Sequence, residues 1–165
     1  MSDAFFQRAC GLWQRLVSAL EALQPAAQLA ARIYLARVFF LSGLTKTRDW
    51  GTTVALFTDE YRVPLLPPEV AAVMGTGGEL LLPLLLVPGL FGRFAALGLF
   101  ILNAVAAISL PEISEAALQQ HVFWGSLALG LLLWGPGRWS VDQWLQGRFT
   151  PAVRMAPARQ GSLSS

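Results

Sequence analysis

A few side chains in this sequence could do chemistry where their neighbours cannot. Glu79 stands near the middle of an apolar run, PEVAAVMGTGGELLLPLLLVPG, in which Glu69 at the edge is the other charge. About 20 apolar residues match the hydrocarbon thickness of a bilayer. An ionisable group at the centre of such a run costs roughly 2.5–3.5 kcal/mol on insertion scales and calls for a partner. Arg37, inside the preceding apolar run, is the expected partner. The next run, FAALGLFILNAVAAISL, has Asn103 as its strongly polar interior residue. Pro83 follows Glu79 by four residues and lacks the N–H that would bond the carbonyl of residue 79, which leaves an acceptor free beside the carboxylate.

Depth arithmetic puts these groups at one level. At about 1.5 Å per residue, Arg37 lies roughly 12 Å from one surface, with Glu79 and Asn103 each roughly 13–14 Å from it. An intramembrane polar layer of Arg37, Glu79 and Asn103 is therefore expected. Two meanings stay open for it. It is either an ion pair that fixes helix register or a polar site for a quinone headgroup, a proton or an anion. A second, outer polar cluster is expected from Lys46, Asp49, Trp50, Gln120 and His121. His121 is the one histidine, so a metal site would have to borrow Glu112, Glu115 or Asp49, and no metal is expected. No nucleophile elbow or phosphate loop is present, so the sequence holds no self-sufficient catalytic motif.

The elements that must carry these residues follow from composition. Of 165 residues, 55% are hydrophobic and 13% charged, against about 25% charged in a soluble domain. The expected fold is all-α, a four-transmembrane-helix bundle preceded by an amphipathic N-terminal interfacial helix. Residues 1–24 form that helix. Phe5, Ala9, Leu12, Leu16, Ala19 and Leu23 share one face, and Gln7, Gly11, Gln14, Ser18 and Glu21 the other. Residues 25–146 form the membrane domain, with spans at about 29–48, 69–88, 94–110 and 115–134. Arg32 is expected to snorkel to the near interface. Ser114 and Ser140 are expected helix caps. Residues 147–165 read as a basic, disordered tail.

Arg8, Arg15, Arg32, Arg93, Arg138, Arg148, Arg154 and Arg159 fall on the side of both termini, against Lys46, Arg48 and Arg62 on the other. The positive-inside rule then puts both termini in the cytoplasm. A net charge of +2, distributed near helix ends, gives no reason to invoke nucleic acid. With Cys10 as the single cysteine, no intrachain disulfide or CxxC pair can form. Electron transfer would need a bound carrier or a partner.

Three stretches in order, ARVFFLSGLTK, GGELLLPLLLVPGLFGRFAALGL and GPGRWSVD, resemble the DoxX family over roughly residues 31–145. That resemblance implies a bacterial inner-membrane protein linked to quinone- or thiol/sulfur-dependent redox systems, as a membrane subunit or accessory. Quinone is the cofactor it suggests. It transfers no catalytic residue, and whether the chain is an enzyme stays open. The lipid bilayer, a membrane or soluble redox partner and further copies of the chain are the partners to be considered. A scaffold for a partner protein and a small-solute carrier are the alternatives.

Overall fold

The computed structural model describes residues 2–149. Among them are six helices and no strand: α1 (Ser2–Arg48), α2 (Trp50–Asp59), α3 (Pro68–Leu86), α4 (Gly92–Ser109), α5 (Glu115–Trp134) and α6 (Val141–Phe149). Four of them, α1, α3, α4 and α5, are long and apolar enough to cross a membrane. The expected tail at 147–165 begins inside α6, since residues 147–149 are helical, and the rest of it lies outside the described residues.

α1 has 47 residues, about 70 Å at the helical rise, against a hydrocarbon core about 30 Å thick. Only its second half can lie in that core. The amphipathic N-terminal segment runs into the first span with no loop between them. Pro25 stands inside the helix and leaves the carbonyl of Glu21 without its usual donor. Phe6, Leu12, Trp13, Leu16, Leu20 and Leu23 are all exposed along that first half.

The bundle is built by close backbone approach, as expected where lipid removes the hydrophobic drive between helices. Leu35, Phe39, Leu86, Leu99 and Leu131 pack with Ala95, Ala96 and Ala128 into one core. A Cβ added to Gly78 would come within 2.6 Å of the Leu102 side chain, and one on Gly98 within 2.7 Å of Leu82. Those two glycines let α3 and α4 meet. The outer faces carry exposed Ile33, Leu81, Leu84, Ile101 and Leu133, the pattern of a surface solvated by lipid tails.

One end of the bundle is closed by a lock between distant segments. Gly89, at φ +68°, turns the chain out of α3, and Leu90 N–H bonds back to the Leu85 carbonyl at 3.0 Å. That is a helix stop of the Schellman type. Asp142 then accepts from Phe91 N–H and Gly92 N–H, both at 2.8 Å, and so caps α4 from the start of α6. Val141 N–H donates to the Pro88 carbonyl. Arg32, fully buried, donates to the carbonyls of Val87 (3.0 Å) and Trp139 (2.5 Å). A cation at the C-terminus of α3 and an anion at the N-terminus of α4 both match the helix dipoles. Arg32 is therefore sealed beneath the Trp139 carbonyl and the turn after α3 instead of snorkelling into water.

At the opposite end, α2 and the connection after it lie across α3. Phe57, Ala71 and Ala72 form a small second core, with Tyr61 and Val63 packed on it. Ser114 caps α5 by accepting from Ala117 N–H, and Ser140 accepts from Gln143 N–H at the start of α6.

Candidate functional site

Glu79 has a partner, and it is Lys46. Lys46 Nζ donates to Oε1 at 2.7 Å and Oε2 at 2.6 Å of Glu79, and to Ser42 Oγ at 3.0 Å. All three ammonium hydrogens are thereby used. Each side chain of the pair is 14% exposed. The close fit of α1 on α3 comes from Gly43, where an added Cβ would lie 2.9 Å from Leu80 and 3.1 Å from the Glu79 Cβ.

The expected layer of Arg37, Glu79 and Asn103 is not brought together. Arg37 is exposed on the outside of the bundle, in a shallow groove with Ile33, Pro83, Leu84 and Val87. The reason is angular. Arg37 and Lys46 are nine residues apart, and at about 100° per residue they point to opposite faces of α1. Glu79 also sits level with Gly43, six residues, or about 9 Å, further along α1 than Arg37. Asn103 lies near the level of Glu79 but faces α5. Its Nδ2 donates to the His121 carbonyl at 2.8 Å, and its Oδ1 meets His121 Nδ1 at 2.9 Å. Trp124 packs edge-on against the same imidazole.

The outer cluster of Lys46, Asp49, Trp50, Gln120 and His121 is likewise divided. Lys46 belongs to Glu79 and His121 to Asn103. Asp49 is the N-cap of α2, accepting from Thr52 N–H at 3.0 Å and Thr52 Oγ1 at 2.7 Å. These bonds, the backbone one first, hold its carboxyl below the usual range. Trp50 and Gln120 are exposed. Among the described residues no group of three or more His, Cys, Asp or Glu is placed to hold a metal.

The Lys46–Glu79 pair forms part of the wall of a cavity of about 220 Å³ between α2, α3 and α4. Its other walls include Phe57, Tyr61, Gly75, Leu102 and Ser109. Exposed Leu66, Met74 and Ile101 border it, so it opens sideways to the lipid. Ser109 is buried, and its Oγ has no hydrogen-bond partner. Tyr61 stacks on Phe57 with ring centroids 5.0 Å apart. Burial lifts its phenol above the usual tyrosine range, and the charges of Glu79 and Glu60 push the same way. Tyr61 therefore stays protonated and can donate. The arrangement offers a neutral phenol, a buried ion pair and aromatic walls to a small, flat, lipid-soluble acceptor, with the unpartnered Ser109 hydroxyl buried behind the wall.

Sequence reasoning missed Lys46, Tyr61, Ser109 and Asp142 in these roles. A signal for Lys46 was present: Arg32, Phe39 and Lys46 recur at seven-residue steps, one face of α1, while Arg37 falls off it.

A family model described as DoxX matches residues 27–111 of this chain, just over half of its 165 residues. The chain belongs to the DoxX family. A protein of Haemophilus influenzae described as uncharacterized is 32% identical over 123 residues, which cover 69% of this chain and 80% of the relative. No solved structure matches this chain. The DoxX match takes in the second half of α1 with Arg32 and Lys46, all of α2, α3 and α4, and Glu79. It stops before α5, so the docked segment at 135–142 lies outside it. The cavity, by contrast, is lined entirely by residues within the DoxX match.

Proposed function

We propose that this DoxX protein is a membrane subunit or accessory of a redox system in the bacterial inner membrane, and that its lateral cavity takes the ring of a lipid-soluble quinone. The observation that carries this reading is the buried, unpartnered hydroxyl of Ser109 in the wall of an apolar cavity open to lipid. Unsatisfied buried polar groups are costly and call for a partner. A quinone carbonyl is an acceptor that the Tyr61 phenol can serve, and that the Ser109 hydroxyl can serve once its side chain turns from its buried position toward the cavity. The cavity volume suits one ring, with an isoprenoid tail left in the bilayer. A quinone supplies a two-electron, two-proton couple, and the electrons come from a partner. The residues of this chain hold the ring, keep water out and keep a proton on Tyr61, while Lys46 and Glu79 hold fixed charges of both signs at the wall.

The test is binding of a short-tailed quinone to the purified protein in detergent. Ser109→Ala should weaken binding about five- to tenfold, the value of one hydrogen bond, and Ala106→Leu should block it by filling the cavity. Wild-type binding in both variants would remove the quinone reading. A stable partner with no bound quinone would favour the scaffold. Solute uptake into proteoliposomes that Glu79→Gln abolishes would favour the carrier.

The same reading places both termini in the cytoplasm, supported by the arginine asymmetry and the even number of spans. A reporter inserted near Thr58 should then be active only as a periplasmic type, and one fused at the C-terminus only as a cytoplasmic type. In this arrangement α1 bends at Pro25, where a kink is expected, so that the exposed apolar face of its N-terminal half rests on the headgroups. A label at Gln14, on the opposite face, should stay open to water.

A further inference from the structure

At the end of the bundle closed by Arg32 and Asp142, two depressions run into one another. The outer one is a cleft of about 740 Å³ between α1, the start of α4 and the segment joining α5 to α6. Arg93 and Arg138 line it, with the amides of Gln24, Gln28, Gln143 and Gln146. Asp142 also lines it, but both of its oxygens are engaged by Phe91 and Gly92 N–H. Two cations and one anion therefore line the cleft, a net charge of +1, with Asp142 turned to the start of α4 and Arg93 also donating to the Leu133 carbonyl at 3.3 Å. The inner depression, about 520 Å³, is a groove between α1 and α5 floored by Ala27, Ala31, Leu127, Gly130 and Leu131. Gln24, Gln28 and Trp134 belong to both. From Trp134 to Ser126 the groove follows α5 for about 12 Å, most of one leaflet of a hydrocarbon core about 30 Å thick. Exposed Trp134, Phe91 and Phe94 line the cleft, the aromatic dressing of a membrane interface.

The geometry points to a binding site for an acidic phospholipid, with the phosphate headgroup in the Arg93–Arg138 cleft and one acyl chain in the α1–α5 groove. Each depression alone fits many ligands. Their junction fits an amphiphile that is anionic at one end and apolar along about 12 Å at the other, and basic pockets between helices at an interface are where such headgroups bind. The small residues Ala27, Ala31 and Gly130 keep the groove open. A Cβ on Gly130 would meet only the Trp134 ring, at 3.5 Å, so nothing in the packing between α1 and α5 requires a glycine there. The site is at the other end of the bundle from the quinone cavity and does not depend on it.

Thermal melting of the protein in a neutral detergent tests the assignment, with phosphatidylglycerol, phosphatidylcholine or inorganic phosphate added. Phosphatidylglycerol near a hundredfold its dissociation constant should raise the midpoint by about 5 °C or more. Phosphatidylcholine and inorganic phosphate should not. Arg138 makes no hydrogen bond or ion pair among the described residues, so Arg138→Gln should melt normally without lipid yet lose most of the rise, and Arg138→Lys should keep it. Gly130→Leu, which fills the groove, should also lose it, while Ser109→Ala should keep it in full. Equal rises with both lipids, a rise with inorganic phosphate alone, or a full rise in Arg138→Gln or Gly130→Leu would each overturn the proposal.

Discussion

The Lys46–Glu79 pair gives the sharpest quantitative test of this structure. With each side chain 14% exposed, removing one partner leaves the other charge in a poor solvent, at a cost of about 3–5 kcal/mol by the behaviour of buried pairs. For a chain of this length, each kcal/mol moves the melting midpoint by about 2–4 °C. Lys46→Met and Glu79→Met should therefore each lower the midpoint in detergent by roughly 6–20 °C. The double variant replaces the pair by two flexible apolar side chains and should recover much of that loss, with an interaction term of about 2–3 kcal/mol. A parallel cycle with Arg37→Met and Glu79→Met should be additive to within about 0.5 kcal/mol, because those side chains do not meet. Additive losses in the first cycle, or strong coupling in the second, would refute the register of α1 against α3.

Three further outcomes follow from single contacts. Gly125→Ala would place a Cβ 3.1 Å from Asn103 Nδ2, loosening the Asn103–His121 pair at a cost of about 1–2 kcal/mol by chemical denaturation; a variant as stable as wild type would contradict that packing. Asp142→Ala removes the acceptor for two backbone donors and should cost about 2–3 kcal/mol, with Asp142→Asn keeping part of it, and melting curves of the pair would show whether the cap matters. Asp49 is held below the usual carboxylate range by Thr52, so its cap is present above that range and is lost as pH falls through the lowered value. The protection of the Thr52 amide, its exchange rate relative to an unstructured peptide at the same pH, should therefore fall in acid, and in Asp49→Asn that acid dependence should vanish.

The spans were legible because bilayer thickness and composition act on every residue of a run. The caps at Ser114 and Ser140 were legible because capping is local. Glu79 was recognised as needing a partner, but depth along a helix axis does not give the direction in which a side chain points. Arg37 and Lys46 face opposite ways on α1, and the seven-residue recurrence of Arg32, Phe39 and Lys46 carried that information. Asn103 illustrates the same limit, since its depth was close to the expected one while its partner lies on α5. Tyr61 and Ser109 could not be foreseen. The cavity they line forms only when the connection after α2 folds back, with Arg62 N–H on the Ser109 carbonyl at 2.8 Å. Asp142 caps a helix that begins 50 residues earlier, a pairing without a local trace.

That last contact also sets an order of events during synthesis. Arg32 and the turn after α3 leave the ribosome early, while Trp139 and Asp142, which satisfy them, emerge about 50 residues after that turn. At about 5–20 residues per second the interval is roughly 3–10 s. Throughout it, the nascent chain holds an arginine short of one acceptor and an α4 start without its cap. The newborn membrane helices are thus left ajar until residues 139–142 arrive, a window in which an insertion factor or a protease could tell a chain that carries them from a stalled one. A chain ended at Gly137 should be degraded faster in cells than one ended at Phe149, although both contain every membrane span.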